Sequence, residues 1–377
     1  MTLPDDIPAI NHRILELIDR HLRAPAGTHI PQSCADIYDA VVSQGQSSNE
    51  GGKRLRARLL LSIYDAITGS RSADRDAVMD VACAIEVFQT GALIHDDIID
   101  NSDLRRGKPS AHLALTSALT RMATSEDHDI ALPSAVEHIT HIGAGLGIML
   151  GDLLSTASID IVNDITPHME HADGILKAFL NMHREVEIGQ VLDLAVEHVS
   201  LKDPQRLSQA SLAVFRWKTA SYTTVAPLTI GMLAAGADPH DEAAAIGSDL
   251  GTAFQLADDL LDIIGDPARI GKPTGGDIRE GKRTVLLSDA LSSSSPQDRN
   301  YLLNAYTAEQ RDDDDVREVT RIFKDSGAIE ASRKRISTLW STVQDAINRT
   351  SQKLNFSDEA HHDVIECCSL FIPENLR

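Results

Sequence analysis

Two five-residue runs of one pattern, Asp-Asp-Ile-Ile-Asp at 96–100 and Asp-Asp-Leu-Leu-Asp at 258–262, recur across 162 residues (258 − 96) of a 377-residue chain. Each is embedded in an apolar stretch, "ALIHDDIID" and "AFQLADDLLDII". On a helix, positions i and i+4 share a face about one turn apart. Asp96 with Asp100, and Asp258 with Asp262, therefore each aim two carboxylates at one point, with Asp97 and Asp259 beside them. Like charges so placed destabilise a bare helix, and carboxylates on an apolar helix need partners. A solvated helix face or cap explains one such motif as well as a binding site does, but it does not explain two. Hard oxygen donors with an incomplete shell suit Mg²⁺, which keeps some waters and takes phosphate oxygens as further ligands. By contrast, the acidic run at 312–315 sits among Arg and Glu and reads as a solvated loop or helix start.

The rest of the chain repeats at helical rather than alternating spacing. Val78, Val81, Ala82, Ile85, Phe88, Ala92 and Leu93 define one apolar face over 78–94, and similar stretches occupy 59–67, 142–161, 175–196, 208–216, 243–264 and 316–348. Hydrophobic residues make up 42% of the chain and aromatics only 4%, so the core must be Ala, Leu, Ile and Val, which favours packed helices over a sheet sandwich. No strand-turn-strand signal stands out. The breaks "SQGQSSNEGG", "GADPHDE", "GDPARIGKPTGG" and "SSSSPQD" read as helix caps and short loops, and 123–136 as an exposed loop or insertion. Residues 219–237 lack formal charge, yet their Thr, Ser and Tyr argue for a buried helix kinked or ended near Pro227 rather than a membrane span. With no interdomain linker in sight, the expectation is an all-α chain forming one domain over 1–377.

The net charge of −21 excludes a nucleic-acid footprint, which needs a basic face. It also means that an anionic substrate would have to be held by metal ions or by local clusters of Arg and Lys. Such clusters exist. "GGKRLRAR" sets Lys53 and Arg56 at the start of a helix after a Gly-Gly turn, where free N–H groups already favour an anion. "DLRRGKP" adds Arg105 and Arg106, and Lys218, Lys272 and Lys282 follow. A lone lysine is usually surface charge, but this set accompanies two metal-type motifs. Two carboxylate clusters and at least two anion sites describe an enzyme handling two diphosphates, one activated by metal and one merely held. No Walker loop, catalytic triad order or Cys/His metal pattern competes with that reading. The four cysteines, in no CxxC spacing, suit a reducing cytoplasm, and the N-terminus has no basic region followed by an apolar one.

"GGKRLR" (51–56), "ALIHDDIIDNSDLRRG" (92–107), "FRWKTASYT" (215–223) and "FQLADDLLDIIGDPARIGKPTGGDIREGK" (254–282) together resemble the trans-isoprenyl diphosphate synthases, or polyprenyl synthetases, over roughly residues 45–290 in family order. The resemblance implies the isoprenoid synthase fold, a single large helical bundle around a central substrate cavity, and head-to-tail condensation of isopentenyl diphosphate with an allylic diphosphate. It implies that Asp96, Asp97 and Asp100, with Asp258, Asp259 and, through a water, Asp262, hold about three Mg²⁺ ions on the allylic diphosphate. Arg105, Lys218 and Lys272 would touch that diphosphate, while Lys53, Arg56, Gln89 and Arg106 would hold isopentenyl diphosphate. Gln89 stands where many relatives carry His. Thr219 and Gln255 would line the reacting centre, and Asp277 and Lys282 would complete the metal side. A homodimer is implied, with no stable membrane insertion.

Product length becomes a question about the helix that carries Asp96. A growing tail running back along it meets Ala92 and Gly91 about one turn deep, roughly 5–8 Å, and Phe88 about 12 Å deep. Farnesyl-length relatives often place an aromatic plug at the first level, and here there is none. Phe88 as floor points to a geranylgeranyl-length product, although ordinary core packing also explains Phe88. The alternatives are a farnesyl or longer-chain synthase and, more remotely, a terpene cyclase, a metal-dependent phosphohydrolase or a non-catalytic regulatory subunit of the same fold.

Overall fold

The helical spacing over 78–94 becomes α4 (Arg75–Ile99) in a computed structural model of the chain, which describes residues 6–69, 72–124, 136–239, 241–265 and 274–377. Every residue from Asp80 to Phe88 is buried, so α4 is enclosed on all sides rather than lying on a surface. Ala92 and Leu93, which the spacing assigns to the same buried face, are only half-buried.

The described residues form two compact units. The first, Met1–Leu61 with Ser72–Leu176, is built on α4 packed along α6 (Val136–Ile165). α1 (Asp6–His21), α2 (Gln32–Ser48) and α5 (Ala111–Ala123) pack around that pair. α2 runs through the "SQGQSS" stretch expected to be a break, because Gln and Ser are only weakly unfavourable in a helix and the true stop is the Asn49–Gly52 turn. The segment expected to loop, 123–136, lies outside the described residues except for Ala123 and Thr124 at the end of α5 and Val136 at the start of α6. α3 (Leu55–Thr68) begins in this unit and ends in the other.

One short antiparallel ladder was not legible as a strand signal. Leu104–Arg105 (β1) pairs with Lys108–Pro109 (β2), with Leu104 opposite Pro109 and Arg105 opposite Lys108. The two-residue turn between them, Arg106 and Gly107, has φ of 53° and 74°. Two positive φ values at a hairpin tip match the twist of the flanking strands, a conformation usually met by Asn-Gly. Strands of two residues each leave no alternation to read in the sequence.

The second unit, Ser62–Arg71 with Lys177–Arg377, is built around α10 (Glu242–Ile264), packed between α15 (Ala328–Leu354) and an eleven-residue π-helix, Phe215–Val225. α7 (Ala172–Val196), which enters this unit at Lys177, α8 (Pro204–Val214), α9 (Ala226–Ala234), α11 (Gly276–Glu280), α12 (Val285–Ser293), α13 (Pro296–Ala305), α14 (Asp313–Asp325) and α16 (Asp358–Ser369) complete the order. The single helix expected over 316–348 is two, since Gly327 at φ 81° ends α14 and starts α15. The acidic run does start a helix: Asp312 accepts from the N–H groups of Asp314 and Asp315, and Asp315 accepts from that of Asp312, a capping box. The chain is continuous through Pro227, which falls in the first turn of the buried α9, where its missing N–H costs little. Among the described residues two other helices, Arg75–Ile99 and Glu137–His168, are long and apolar enough to cross a membrane by length and composition, with 78% and 39% of their apolar 18-residue windows buried inside the protein.

The π-helix is held by close backbone approach. A Cβ at Gly189 of α7 would come within 2.3 Å of the Lys218 nitrogen, and one at Gly251 of α10 within 2.5 Å of Ala220 Cα. Backbone atoms cannot swing away as a side-chain tip can. Gly251→Ala should therefore destabilise the protein by about 1–3 kcal/mol through overpacking, read as a lowered urea midpoint. Gly145→Ala, at an exposed α6 position with open space at its Cβ, should be neutral or stabilising by up to about 1 kcal/mol.

Candidate active site

In the first unit the three aspartates at the end of α4 do not share one environment. Asp97 is 2% exposed and turned inward. Arg105 reaches it from β1, with Nε donating to Oδ1 and Oδ2 at 2.9 and 3.2 Å and Nη2 also donating to Oδ1. Burial pushes the Asp97 carboxyl above its usual range, and the Arg105 guanidinium opposes that push. Burial likewise disfavours charge on Arg105, but Asp97, Asp96 and Asp100 outweigh it and raise the guanidinium pKa. Asp96 and Asp100, one turn apart, are more open, and Arg105 Nη2 lies 4.0 Å from Asp96 Oδ2. His95 anchors the same turn to α6, its Nε2 being 3.1 Å from the Ile148 carbonyl and 3.4 Å from Asp152.

The cations of this unit sit on irregular backbone. Gly51, Gly52 and Arg54 all have positive φ, 72°, 95° and 50°, on either side of Lys53. Lys53 is exposed, Arg56 is buried in the first turn of α3, and Gln89 is half-buried on α4. Arg106, at the hairpin tip, donates to the Glu50 carbonyl at 3.0 Å and lies against Gly52. A cavity of about 530 Å³ opens here, lined by Gln44, Ser47, Ser48, Glu50, Gly51, Gly52, Thr90, Leu93, Ile94, Asp97, Arg105, Arg106, Lys108, Pro109, Ala111 and Ala114. Its lining combines the cations Arg105, Arg106 and Lys108 with apolar Leu93, Ile94, Ala111 and Ala114, which suits an anion with a hydrocarbon portion.

The residues linked to product length occupy different surroundings. Phe88 is fully buried. Gly91 lies against α6, where a Cβ would meet the Gly151 carbonyl at 2.8 Å and Ser155 Oγ at 3.1 Å, while Ala92 is half-buried.

The second unit repeats the division among its aspartates. Asp258 is exposed, whereas Asp259 is 5% exposed and accepts from Gln255 Nε2 at 2.9 Å, and Thr219 Oγ1 in turn donates to Gln255 Oε1 at 2.8 Å. Asp259 Oδ2 is buried with no hydrogen-bond partner among the described residues. Burial, then Asp277 and Asp258, push the Asp259 carboxyl well above its usual range. Burial also raises Asp277, to about 7, with Lys282 opposing. Asp262 caps α11, accepting from the N–H groups of Gly276 and Asp277 at 3.2 and 3.1 Å. Lys218, in the π-helix, is paired with Asp193 of α7 at 2.5 Å. Lys282 lies 2.9 Å from Glu280, and its N–H donates to the Asp277 carbonyl. Lys272 lies outside the described residues.

These carboxylates are hard oxygen donors, and a buried one with an unpartnered oxygen beside further carboxylates is what a divalent cation would relieve. The residues fit Mg²⁺ in that sense. Among the described residues no three His, Cys, Asp or Glu side chains converge as a complete ligand set. The sequence did not reveal Asp193, the contacts of His95 with α6 or the pairing of Asp97 with Arg105. All three depend on which face of a helix meets which neighbour.

The "Polyprenyl synthetase" family model matches residues 42–323. Among curated proteins, the chain is 30% identical over 278 residues to the short chain isoprenyl diphosphate synthase of Methanocaldococcus jannaschii, covering 73% of each chain. It is 28% identical over 281 residues to the geranylgeranyl diphosphate synthase of Saccharolobus solfataricus, again covering 73% of each. Among solved structures, geranylgeranyl pyrophosphate synthase of Corynebacterium glutamicum, complexed with isoprenyl diphosphate and magnesium, superposes with a TM-score of 0.83 at 30% identity, covering 98% of this chain and 99% of that one.

The Asp97–Arg105 pair makes a prediction independent of activity. Because Arg105 is about a third exposed, a double-mutant cycle with Asp97→Asn and Arg105→Gln should give a coupling of about 1–3 kcal/mol, below the full scale of a buried pair. In urea denaturation the double variant should be less destabilised than the two singles summed, and additive singles would show that the pair does not form in solution.

Proposed function

This chain belongs to the polyprenyl synthetase family and is a trans-prenyltransferase, and on that footing we propose that it makes geranylgeranyl diphosphate with the help of Mg²⁺. The observation that carries the metal is the buried, partly unpartnered Asp259 beside Asp258 and Asp277. Asp96, Asp97 and Asp100, and Asp258, Asp259 and Asp262, would hold the ions, numbering about three per active site. Bound there, Mg²⁺ supplies a Lewis acid for the charge of the departing diphosphate.

The chain's own groups do the rest. Arg105, Lys218 and Lys272 bind the allylic diphosphate and stabilise the charge it gains as the allylic C–O bond breaks, its electron pair leaving with oxygen. Lys53, Arg56, Gln89, Arg106 and Lys282 bind and orient charge, the first four on isopentenyl diphosphate, whose double bond then attacks the allylic cation. Thr219 and Gln255, hydrogen-bonded to each other, offer polar oxygens beside the cation. Loss of a proton to the released diphosphate restores a double bond, which accounts for a site rich in charge with no His or Glu base singled out. Relatives named as geranylgeranyl synthases, together with small Gly91 and Ala92 and bulky Phe88, support the product length.

A second copy of the chain is the proposed partner. On α7, Leu180, Ile188, Val191 and Leu194 fall within one arc of the helix and are exposed, Val191 by 66%. Val191→Glu should shift the protein from dimer towards monomer by light scattering. A cytoplasmic location suits the four cysteines, all present as free thiols.

Incubation with labelled isopentenyl diphosphate and each allylic diphosphate, followed by chromatography of dephosphorylated products, should give a twenty-carbon alcohol that chelator abolishes. Asp96→Ala and Asp258→Ala should each lower turnover by about 100-fold or more while isopentenyl diphosphate still binds. Failure to elongate any primer would sink the reading.

A further inference from the structure

Arg54 stands between two residues assigned to substrate, Lys53 and Arg56, yet its own side chain turns the other way. It is 3% exposed, and its backbone has φ 50°, a left-handed conformation that a non-glycine residue adopts only when its surroundings enforce it. Those surroundings are specific. Nε donates to Asn11 Oδ1 at 2.7 Å, Nη2 donates to the Asn49 carbonyl, and Nη1 lies 3.6 Å from Glu86 Oε2. The anchors are themselves fixed. Asn49, fully buried, donates to the Gly45 carbonyl at 2.9 Å and accepts from Thr90 Oγ1 at 2.8 Å. Glu86, 2% exposed, accepts the N–H of Ala57 at 3.1 Å, one of the first-turn amides of α3 that have no acceptor within their own helix.

Arg54 and Glu86 therefore tie three things together: the Gly51–Gly52 turn that carries Lys53, the first turn of α3 that carries Arg56, and the turn of α4 that carries Gln89. Glu86, Gln89 and Thr90 are i, i+3 and i+4 on that helix. We infer that the buried Arg54–Glu86 pair is a positioning device for the isopentenyl diphosphate site, fixing Lys53, Arg56 and Gln89 relative to one another without touching substrate. The inference rests on the proposed function. A buried ion pair contributes little net stability over apolar packing, whereas removing one partner leaves the other charged and unpaired, so geometry is the better reason for keeping it.

The positive φ supplies a discriminating substitution. Glycine adopts φ 50° without penalty, so Arg54→Gly allows the turn while removing the side chain that makes these contacts. Binding is measured by calorimetry with isopentenyl diphosphate alone and, separately, geranyl diphosphate with Mg²⁺. Arg54→Gly should weaken isopentenyl diphosphate binding about tenfold or more while leaving geranyl diphosphate within about twofold, because misplacement of orienting groups acts on the ligand they hold. Glu86→Gln, which keeps the shape and an acceptor for Ala57, should do the same, and it carries the test if Arg54→Gly fails to fold. Unchanged isopentenyl diphosphate binding in a folded variant, or equal weakening of both ligands, would overturn the positioning role. If the unaltered protein binds neither diphosphate, the proposed function itself falls, and the inference with it.

Discussion

The demanding constraint in this chain is the placing of like-charged carboxylates on helices whose other faces are apolar. A helix of i and i+4 aspartates is self-repelling, and burying any of them adds a desolvation cost. Both units meet the problem in the same way. The second aspartate of each motif turns inward and takes a fixed side-chain donor, Arg105 for Asp97 and Gln255 for Asp259. The first stays more open to solvent. The donors differ in consequence. A guanidinium neutralises Asp97, whereas an amide supplies Asp259 no counter-charge beside Asp258 and Asp277, so the second motif has the stronger unmet demand for a cation.

That difference bears on how the motifs would share work. Arg105, drawn to Asp97 and within 4.0 Å of Asp96, is a fixed positive charge that keeps part of the first cluster neutral before any ion arrives. The second cluster has Lys282 as its cationic neighbour, but Lys282 also lies near Glu280. The Asp259–Gln255–Thr219 chain runs from the carboxylate to the π-helix. A change at Asp259 is therefore one hydrogen bond from Gln255 and two from Thr219, which would couple its charge to the placement of the polar oxygens proposed to lie near the reacting carbons.

The sequence revealed most of what lies on regular helices. Asp96, Asp258, Asp262 and the apolar spacing of α4 and α10 follow from a period of 3.6, with Asp100 just past the end of α4 as its C-cap, and the acidic run at 312–315 starts a helix through the Asp312 cap. It revealed little of what depends on side-chain direction or broken backbone. Ala92 belongs to the buried face by spacing but is half-buried, while Gly91, Ile94 and Asp97 on other faces of the same turns are buried. Gly91 reads as an unfilled position, yet its hydrogen faces the Gly151 carbonyl at a distance no side chain could share. The two-residue strands, the π-helix and the break at Gly327 carry no periodic signature.

The anions and cations of the candidate site divide along the same line. The aspartates 96, 97, 258, 259 and 262 ride regular α-helices, whose four-residue step is legible in sequence. The cations do not. Lys53 lies between Gly52 and Arg54, both at positive φ, Arg106 is itself at positive φ, Lys218 is in a π-helix, and Lys282 follows Gly281 at φ 78°. A regular helix spaces side chains at fixed intervals along one axis, which suits ions gathered at a point. A diphosphate presents oxygens in several directions and has to be met from several sides. In the first unit, the Gly51–Gly52 turn and the hairpin tip would let Lys53 and Arg106 approach such an anion from different directions, and the strained backbone at Arg54 is held by its buried anchors.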